Sequence, residues 1–87
     1  MTYHIKLLDS AIKTLKMLDK PIARRIMERI RWVSENFDST EHIPLSGNLA
    51  GFYKIRIGSY RAIYEILKKE RIIVIHLIGH RKDVYKL

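Results

Sequence analysis

The sequence predicts an α+β fold in which a small antiparallel sheet packs against an N-terminal helical hairpin, in the order β-α-α-β-β-β. Apolar residues recur at helical spacing between residues 9 and 36. Residues 53–64 hold two alternating runs, joined by a Gly58-Ser59 pair that suits a tight hairpin turn. A third run, residues 71–79, is rich in isoleucine. At 87 residues the chain is expected to form a single domain spanning residues 1–87.

The N-terminal part predicts one strand and two helices. Residues 2–8 alternate weakly and indicate a first strand, after which Asp9 or Ser10 is expected to cap a short helix. Pro21 begins a second, longer helix that runs to about Asn36, because proline fits the first turn of a helix. The apolar stripe of this helix consists of Ile22, Ile26, Ile30, Val33 and Phe37. Helices joined this tightly are expected to form an antiparallel hairpin on one face of the sheet.

The segments on either side of the central hairpin are less regular. Residues 38–51 are rich in turn-forming residues and predict one long loop. His42 lies in this loop without a second histidine or a cysteine at metal-ligand spacing, so no zinc site is expected. Between the hairpin and the third run we expect a two-residue turn, which places His76 and Ile78 on the face of Arg61. A slip of one residue would place their neighbours there instead.

The central hairpin predicts how side chains divide between the two faces of the sheet. A turn at Gly58-Ser59 places Arg56 opposite Arg61, with Lys54 two residues away on the same face. The other face carries Tyr53, Ile55, Ile57, Tyr60, Ala62 and Tyr64. Cations that lie opposite each other across a ladder repel, so this arrangement favours an anionic ligand. The alternative is an ordinary solvated face whose long side chains splay apart.

Composition excludes several classes of protein and indicates the chemistry of the partner. Cysteine is absent, which excludes disulfides, thiolate catalysis and cysteine–zinc sites. The apolar-rich run at residues 72–79 is too short to span a bilayer, and the N-terminus lacks a signal-peptide pattern, so we expect a cytoplasmic protein. A formal net charge of +8 and a pI near 10.0 predict a polyanionic partner, either nucleic acid or a strongly acidic protein.

The basic residues permit metal-free cleavage of RNA. Acidic residues are few, and none forms the paired carboxylates of a two-metal nuclease. When the RNA 2′-hydroxyl attacks its own phosphate, the protein supplies only a base, cations and an acid. Lys54 and Tyr85 are the candidate bases, because arginine does not lose its proton under ordinary conditions. His76 and His80 are the conventional alternatives.

Three segments together resemble the RelE/ParE toxin superfamily, specifically its RelE branch. They are residues 45–51 (LSGNLAG), 53–64 (YKIRIGSYRAIY) and 79–85 (GHRKDVY), and the resemblance covers nearly the whole chain. It implies a RelE-like fold and a toxin of a type II toxin–antitoxin pair. Such a toxin is a ribosome-dependent mRNA endonuclease that cuts mRNA in the ribosomal A site, inhibits translation and is silenced by a cognate RelB-like antitoxin. The expected partners are this antitoxin, in a hetero-oligomer, and the ribosome with its mRNA; no cofactor, metal or membrane is expected.

The resemblance also implies site residues. The family's functional positions fall on Lys54, Arg56, Arg61, Arg81 and Tyr85. Together with the basic tail they predict a catalytic set of Lys54, Arg61, Arg81 and Tyr85, and an RNA-binding set of Arg56, His80 and Lys82. Some RelE members carry lysine at the place of Arg56, and the arginine here weakens any mechanism that needs a proton acceptor at that position.

Two other functions suit the same residues. The ParE branch, which inhibits DNA gyrase, shares the fold but generally lacks the full basic and tyrosine set. A non-catalytic module that binds RNA or the ribosome requires only the positive charge.

Overall fold

One five-stranded sheet has both helices on the same face. The computed structural model describes residues 2–86, and of Lys86 only the backbone. The helices are α1 (Asp9–Met17) and α2 (Lys20–Glu35), and the strands are β1 (His4–Leu7), β2 (Ile43–Pro44), β3 (Tyr53–Ile57), β4 (Tyr60–Leu67) and β5 (Ile72–His80). Short 3₁₀ turns occupy Phe37–Ser39, Gly47–Leu49 and Val84–Lys86. The predicted α+β fold class is confirmed.

The strand order is β1-β5-β4-β3-β2, and it differs from the predicted sheet in two respects. Strand β1 pairs in parallel with β5, whereas the other neighbours are antiparallel as predicted. Parallel neighbours need a long connection, which α1, α2 and the hairpin supply. Strand β2 lies inside the predicted loop. It has only two residues, one of them proline, so no alternation reveals it in the sequence.

The helices follow the predicted pattern except at the first cap. Helix α2 has Pro21 in its first turn. Of its predicted apolar stripe, Ile26, Ile30 and Val33 are buried in a core with the facing strand residues, Ile22 is partly buried, and Phe37 is buried in the 3₁₀ turn that follows the helix. Asp9 is the first residue of α1 and Leu8 takes the cap position, so the predicted side-chain cap is wrong. The Leu8 N–H donates to Ile75 O (3.0 Å), which holds Leu8 against β5. Leu8 is then the one residue between β1 and α1, and its side chain has no atom that can accept a hydrogen bond from the helix. In the described part of the chain, no helix has the length and apolar character needed to cross a membrane.

The register of the central hairpin is the predicted one. Its pairs are Ile57 with Tyr60, Arg56 with Arg61, Ile55 with Ala62, Lys54 with Ile63 and Tyr53 with Tyr64. Gly58 has a φ of +57°, a left-handed conformation that glycine adopts without steric cost. The hairpin therefore has one face in the core and one face that carries the cations.

The pairing of β4 with β5 departs from the prediction. Leu67 lies opposite Ile72, so four residues, 68–71, separate the strands instead of two. A β-bulge then leaves His76 without an opposite residue on β4. Because the bulge adds one residue to β5, the residues after His76 point to the opposite faces from those expected. Ile78 consequently lies opposite Ala62 in the core, and its predicted place on the face of Arg61 is wrong.

Candidate functional site

Three basic side chains of the hairpin share the sheet face opposite the helices, and we call Lys54, Arg56 and Arg61 the cationic face. Arg56 and Arg61 are directly opposite each other, and Lys54 is two residues from Arg56 along β3. Lys54 and Arg61 are partly buried, whereas Arg56 is exposed. The prediction that these three residues share a face is confirmed. Their mutual repulsion makes the face attractive to anions.

The guanidinium of Arg61 is held by the hairpin turn itself. Its Nη1 donates hydrogen bonds to Gly58 O (2.9 Å) and Tyr60 O (2.8 Å). Because a guanidinium has five N–H donors in a planar fork, two bonds from Nη1 leave Nε and Nη2 to bind a phosphate. The positive φ of Gly58 shapes the turn that presents these carbonyls. Arg61 is therefore oriented before any ligand binds.

The chain after β5 is fastened to the same end of the sheet. Gly79 lies opposite Arg61, and the Arg81 N–H donates to Ser59 O in the hairpin turn (2.7 Å). Arg81 and Lys82 are both exposed. Two segments far apart in the sequence thus bring the cations of β4 and of the tail to one end of the molecule.

Val84 fixes the last 3₁₀ turn against the sheet. It is 3% exposed, and a Cβ built on Gly79 would lie 3.3 Å from its Cβ. Because Gly79 and Arg61 are paired, their side-chain directions point to the same face of the sheet. Val84 therefore packs on the side of the cationic face. The backbone of Tyr85 follows directly after Val84, and 44% of the Tyr85 surface is exposed.

The two histidines of β5 occupy different sides. His80 lies opposite Tyr60, and the two ring centroids are 5.6 Å apart, so His80 is on the helical side of the sheet and not on the cationic face. His76 projects from the bulge to Glu65, with 3.0 Å between Nε2 and Oε1. Glu65 shares the face of Arg61, and sequence reasoning missed the negative charge that it places at the border of the cationic face.

Sequence reasoning also missed a hydrogen-bonded chain centred on His42. Its Nε2 lies 3.0 Å from Phe37 O, and its Nδ1 lies 2.6 Å from the Tyr64 hydroxyl. Since a carbonyl oxygen only accepts, Nε2 carries the proton and Nδ1 accepts from Tyr64. Burial, with a smaller contribution from Tyr53, raises the pKa of the Tyr64 hydroxyl well above its ordinary value. His42 therefore connects the loop before β3 to the sheet.

The described residues offer no obvious metal centre. Across residues 2–86, no three His, Cys, Asp or Glu side chains are grouped in a way that could hold a metal ion.

Comparison with known proteins identifies the family. Residues 5–85 match the family model described as the ParE toxin of type II toxin–antitoxin systems. The chain belongs to this toxin family. A RelE-like toxin protein of Escherichia coli is 30% identical to this toxin over 94 residues, covering 100% of this chain and 94% of the relative. The name of this relative places the toxin on the RelE branch of the RelE/ParE superfamily, as predicted.

Solved structures share the fold of this toxin. A chain of the Mycobacterium tuberculosis RelBE2 toxin–antitoxin complex has a TM-score of 0.80 at 26% identity, with 93% of this chain and 100% of that chain covered. A chain of the Pyrococcus horikoshii RelE–RelB complex has a TM-score of 0.73 at 27% identity, with coverage of 97% and 100%. The toxin therefore has the RelE-like fold that the resemblance implied.

Proposed function

We propose that this toxin is a ribosome-dependent endoribonuclease that cuts mRNA in the ribosomal A site and so inhibits translation. The observation that supports the proposal best is the convergence of the hairpin and the tail. Arg61 is oriented by the turn, and the backbone of Arg81 is hydrogen-bonded to the same turn. Tyr85 follows Val84, and Val84 packs against Gly79, the residue that lies opposite Arg61. The relative from Escherichia coli, a RelE-like toxin, supports the same class of activity.

The proposed reaction needs no metal and no external nucleophile. The 2′-oxygen of the RNA attacks the adjacent phosphorus, and the bond between phosphorus and the 5′-oxygen breaks. The products are a 2′,3′-cyclic phosphate and a 5′-hydroxyl. A base takes the proton of the 2′-hydroxyl, while the leaving 5′-oxygen receives a proton. Cations that are already oriented toward the phosphate stabilise the charge that accumulates in the transition state.

The geometry supports a division of roles among the residues. Arg61 stabilises the phosphate charge, because its guanidinium is fixed with donors to spare. Arg56 positions the RNA backbone, and Lys54 or Tyr85 is the base. The positive charge of Arg81 stabilises the negative charge that develops on the leaving 5′-oxygen, since arginine retains its own proton. His80 is the less favourable donor because it lies across the sheet, beside Tyr60.

The reaction class is tested with ribosomes that carry a defined mRNA. One mRNA has ribose throughout, a second has a 2′-deoxynucleotide at the scissile position, and a matched control has it one codon away. The proposal predicts that the ribose and control mRNAs are cut to a 2′,3′-cyclic phosphate end and that the scissile-deoxy mRNA stays intact. Equal cleavage of all three mRNAs would exclude 2′-hydroxyl attack. Cleavage of the same mRNA without ribosomes would exclude ribosome dependence.

The identity of the base is decided by two variants. Tyr85→Phe keeps the ring and removes only the hydroxyl, whereas Lys54→Ala removes the amine. If Lys54 is the base, Tyr85→Phe cleaves at the parental rate across pH and Lys54→Ala is inactive. If Tyr85 is the base, the Tyr85→Phe variant is the inactive one.

The proposed binding partner is a RelB-like antitoxin in a hetero-oligomer. Two of the similar structures are RelB–RelE or RelBE toxin–antitoxin complexes, and the net charge of +8 complements an acidic segment. We expect association to weaken and slow as salt is raised. Association that is independent of salt would contradict the electrostatic part of this proposal. Because the proposed target is the ribosome, we also expect the toxin to act in the cytoplasm.

A second candidate function is inhibition of DNA gyrase, which the description of the matching family model favours. It predicts that the purified toxin blocks DNA supercoiling by gyrase and leaves ribosome-bound mRNA uncut. The ribonuclease proposal predicts the opposite result in both assays. A toxin that binds ribosomes and has neither activity would be a non-catalytic binding module.

A further inference from the structure

One side of α2 carries a basic and aromatic stripe outside the site described above. Arg25, Arg29 and Trp32 are spaced by four and three residues, so they lie along one side of the helix. The stripe runs beside β3 and the turn that follows it. Arg29 lines a groove with Lys54 and Arg56 of β3, and Arg25 Nη2 lies 3.4 Å from a Cβ built on Gly58 in the turn. We call these three residues the α2 flank.

Trp32 is unusually accessible for an indole. It is 45% exposed, and the Arg29 guanidinium carbon lies 4.7 Å from the centroid of its ring. The neighbouring α2 residues Glu28 and Arg31 are exposed and charged, so on its own helix the indole is flanked by polar side chains. An indole held beside a guanidinium provides two flat surfaces on which a nucleobase can stack.

A groove connects the α2 flank to the cationic face. Arg29 lines a groove of about 210 Å³ together with Lys54 and Arg56. The groove follows the outer edge of β3, which β2 covers only at Tyr53 and Lys54. Its lining has three cations against one carboxylate, that of Glu41, so its charge favours phosphates.

We propose that the α2 flank is a second RNA-contact surface. An unpaired RNA strand on the cationic face continues around the edge of β3, its phosphates bind Arg29 and Arg25, and one base stacks on Trp32. The inference rests on the proposed function for the nature of the ligand as RNA, and it adds a contact remote from the cleaved bond. RNA is favoured over an acidic peptide because cations beside a stacking aromatic match the way proteins bind single strands.

Trp32 is the single tryptophan of the chain, so its fluorescence reports on this surface alone. The free toxin is titrated with a labelled oligouridylate of about 12 nucleotides, within the range that single-strand sites bind. Label anisotropy measures binding, and Trp32 emission measures stacking. We expect both signals to change together. Trp32→Ala should weaken binding by about 5- to 150-fold, the usual effect of losing one base–aromatic stack.

A matched pair of variants separates the α2 flank from general electrostatics. Arg29→Gln should weaken binding, lower the slope of log affinity against log salt by about one, and reduce the quenching of Trp32. Arg31→Gln removes the same charge from an exposed position on another side of α2, and it should leave the Trp32 response intact. Equal effects of the two substitutions on Trp32 quenching would overturn the inference.

Three further outcomes would also overturn the inference. If RNA binds by anisotropy but Trp32 emission and the Trp32→Ala affinity are unchanged, the strand does not reach α2, and the proposed function stands. If no RNA binds, the second surface is excluded, while the 2′-deoxy cleavage assay still decides the proposed function separately. If polyglutamate of matched charge quenches Trp32 as strongly as RNA does, the surface fits an acidic protein.

Discussion

Tyr64→Phe tests the hydrogen-bonded chain that connects the loop before β3 to the sheet. Tyr64 is 1% exposed, and its hydroxyl donates to His42 Nδ1 at 2.6 Å, while His42 Nε2 donates to Phe37 O at 3.0 Å. Removing the hydroxyl leaves a partly buried imidazole nitrogen without its donor. Leaving such a group unpaired costs about 1–3 kcal/mol, so we expect the free energy of unfolding to fall by that amount.

The free energy of unfolding is measured by urea denaturation followed by circular dichroism. For a domain of this size, each kcal/mol lowers Tm by roughly 4–8 °C, which gives an independent thermal check. Tyr53→Phe is the matched control. The Tyr53 ring lies 5.7 Å from that of Tyr64, is partly buried, and makes no hydroxyl hydrogen bond to any described residue. If the two variants are equally stable, the His42 chain does not stabilise the fold.

Three further predictions concern Tyr64, the hairpin turn and the last 3₁₀ turn. Burial raises the pKa of the Tyr64 hydroxyl above its ordinary 10.0, so above pH 10.0 this hydroxyl loses its proton in the unfolded chain before it does so in the folded one. The contribution of Tyr64 to the free energy of unfolding is therefore complete below pH 10.0 and is lost as the pH rises further. Alkaline urea titrations should show this loss in the parental toxin and not in Tyr64→Phe. Gly58→Ala, at φ +57°, should lower the free energy of unfolding by about 1–2 kcal/mol, whereas Ser59→Ala should not. Val84→Ala removes two buried methyl groups, worth about 1.6 kcal/mol of packing, and should slow single-turnover mRNA cleavage by loosening the turn that carries Tyr85. Cleavage at the parental rate by this variant would show that the position of Tyr85 is unimportant.

The hairpin could be predicted to the residue because local chemistry determines it. Gly58 requires a turn, and strict alternation on both sides of it sets the register. The pairing of β5 could not be predicted in the same way. Its bulge at His76 depends on contacts with β4, and the positive φ of Arg71 lengthens the preceding loop without a glycine to reveal it.

The candidate site was only partly predictable from the sequence. Alternation alone indicates that Arg56 and Arg61 share a face. The approach of Arg81 depends on a backbone hydrogen bond to Ser59, and the position of Tyr85 depends on the packing of Val84 against Gly79. Local patterns carry no signal for such long-range contacts, so the tail entered the predicted site through the family resemblance.

Single-turnover cleavage of ribosome-bound mRNA by Arg61→Ala tests most directly whether the cationic face is the catalytic site. Arg24→Ala removes an exposed arginine from α2 and is the matched control for charge. We expect Arg61→Ala to cleave about 100- to 1000-fold more slowly, which corresponds to the loss of one oriented donor, while its affinity for the ribosome changes little. Arg24→Ala should cleave at nearly the parental rate. Full cleavage by Arg61→Ala would contradict this placement of the site and would favour gyrase inhibition or binding alone.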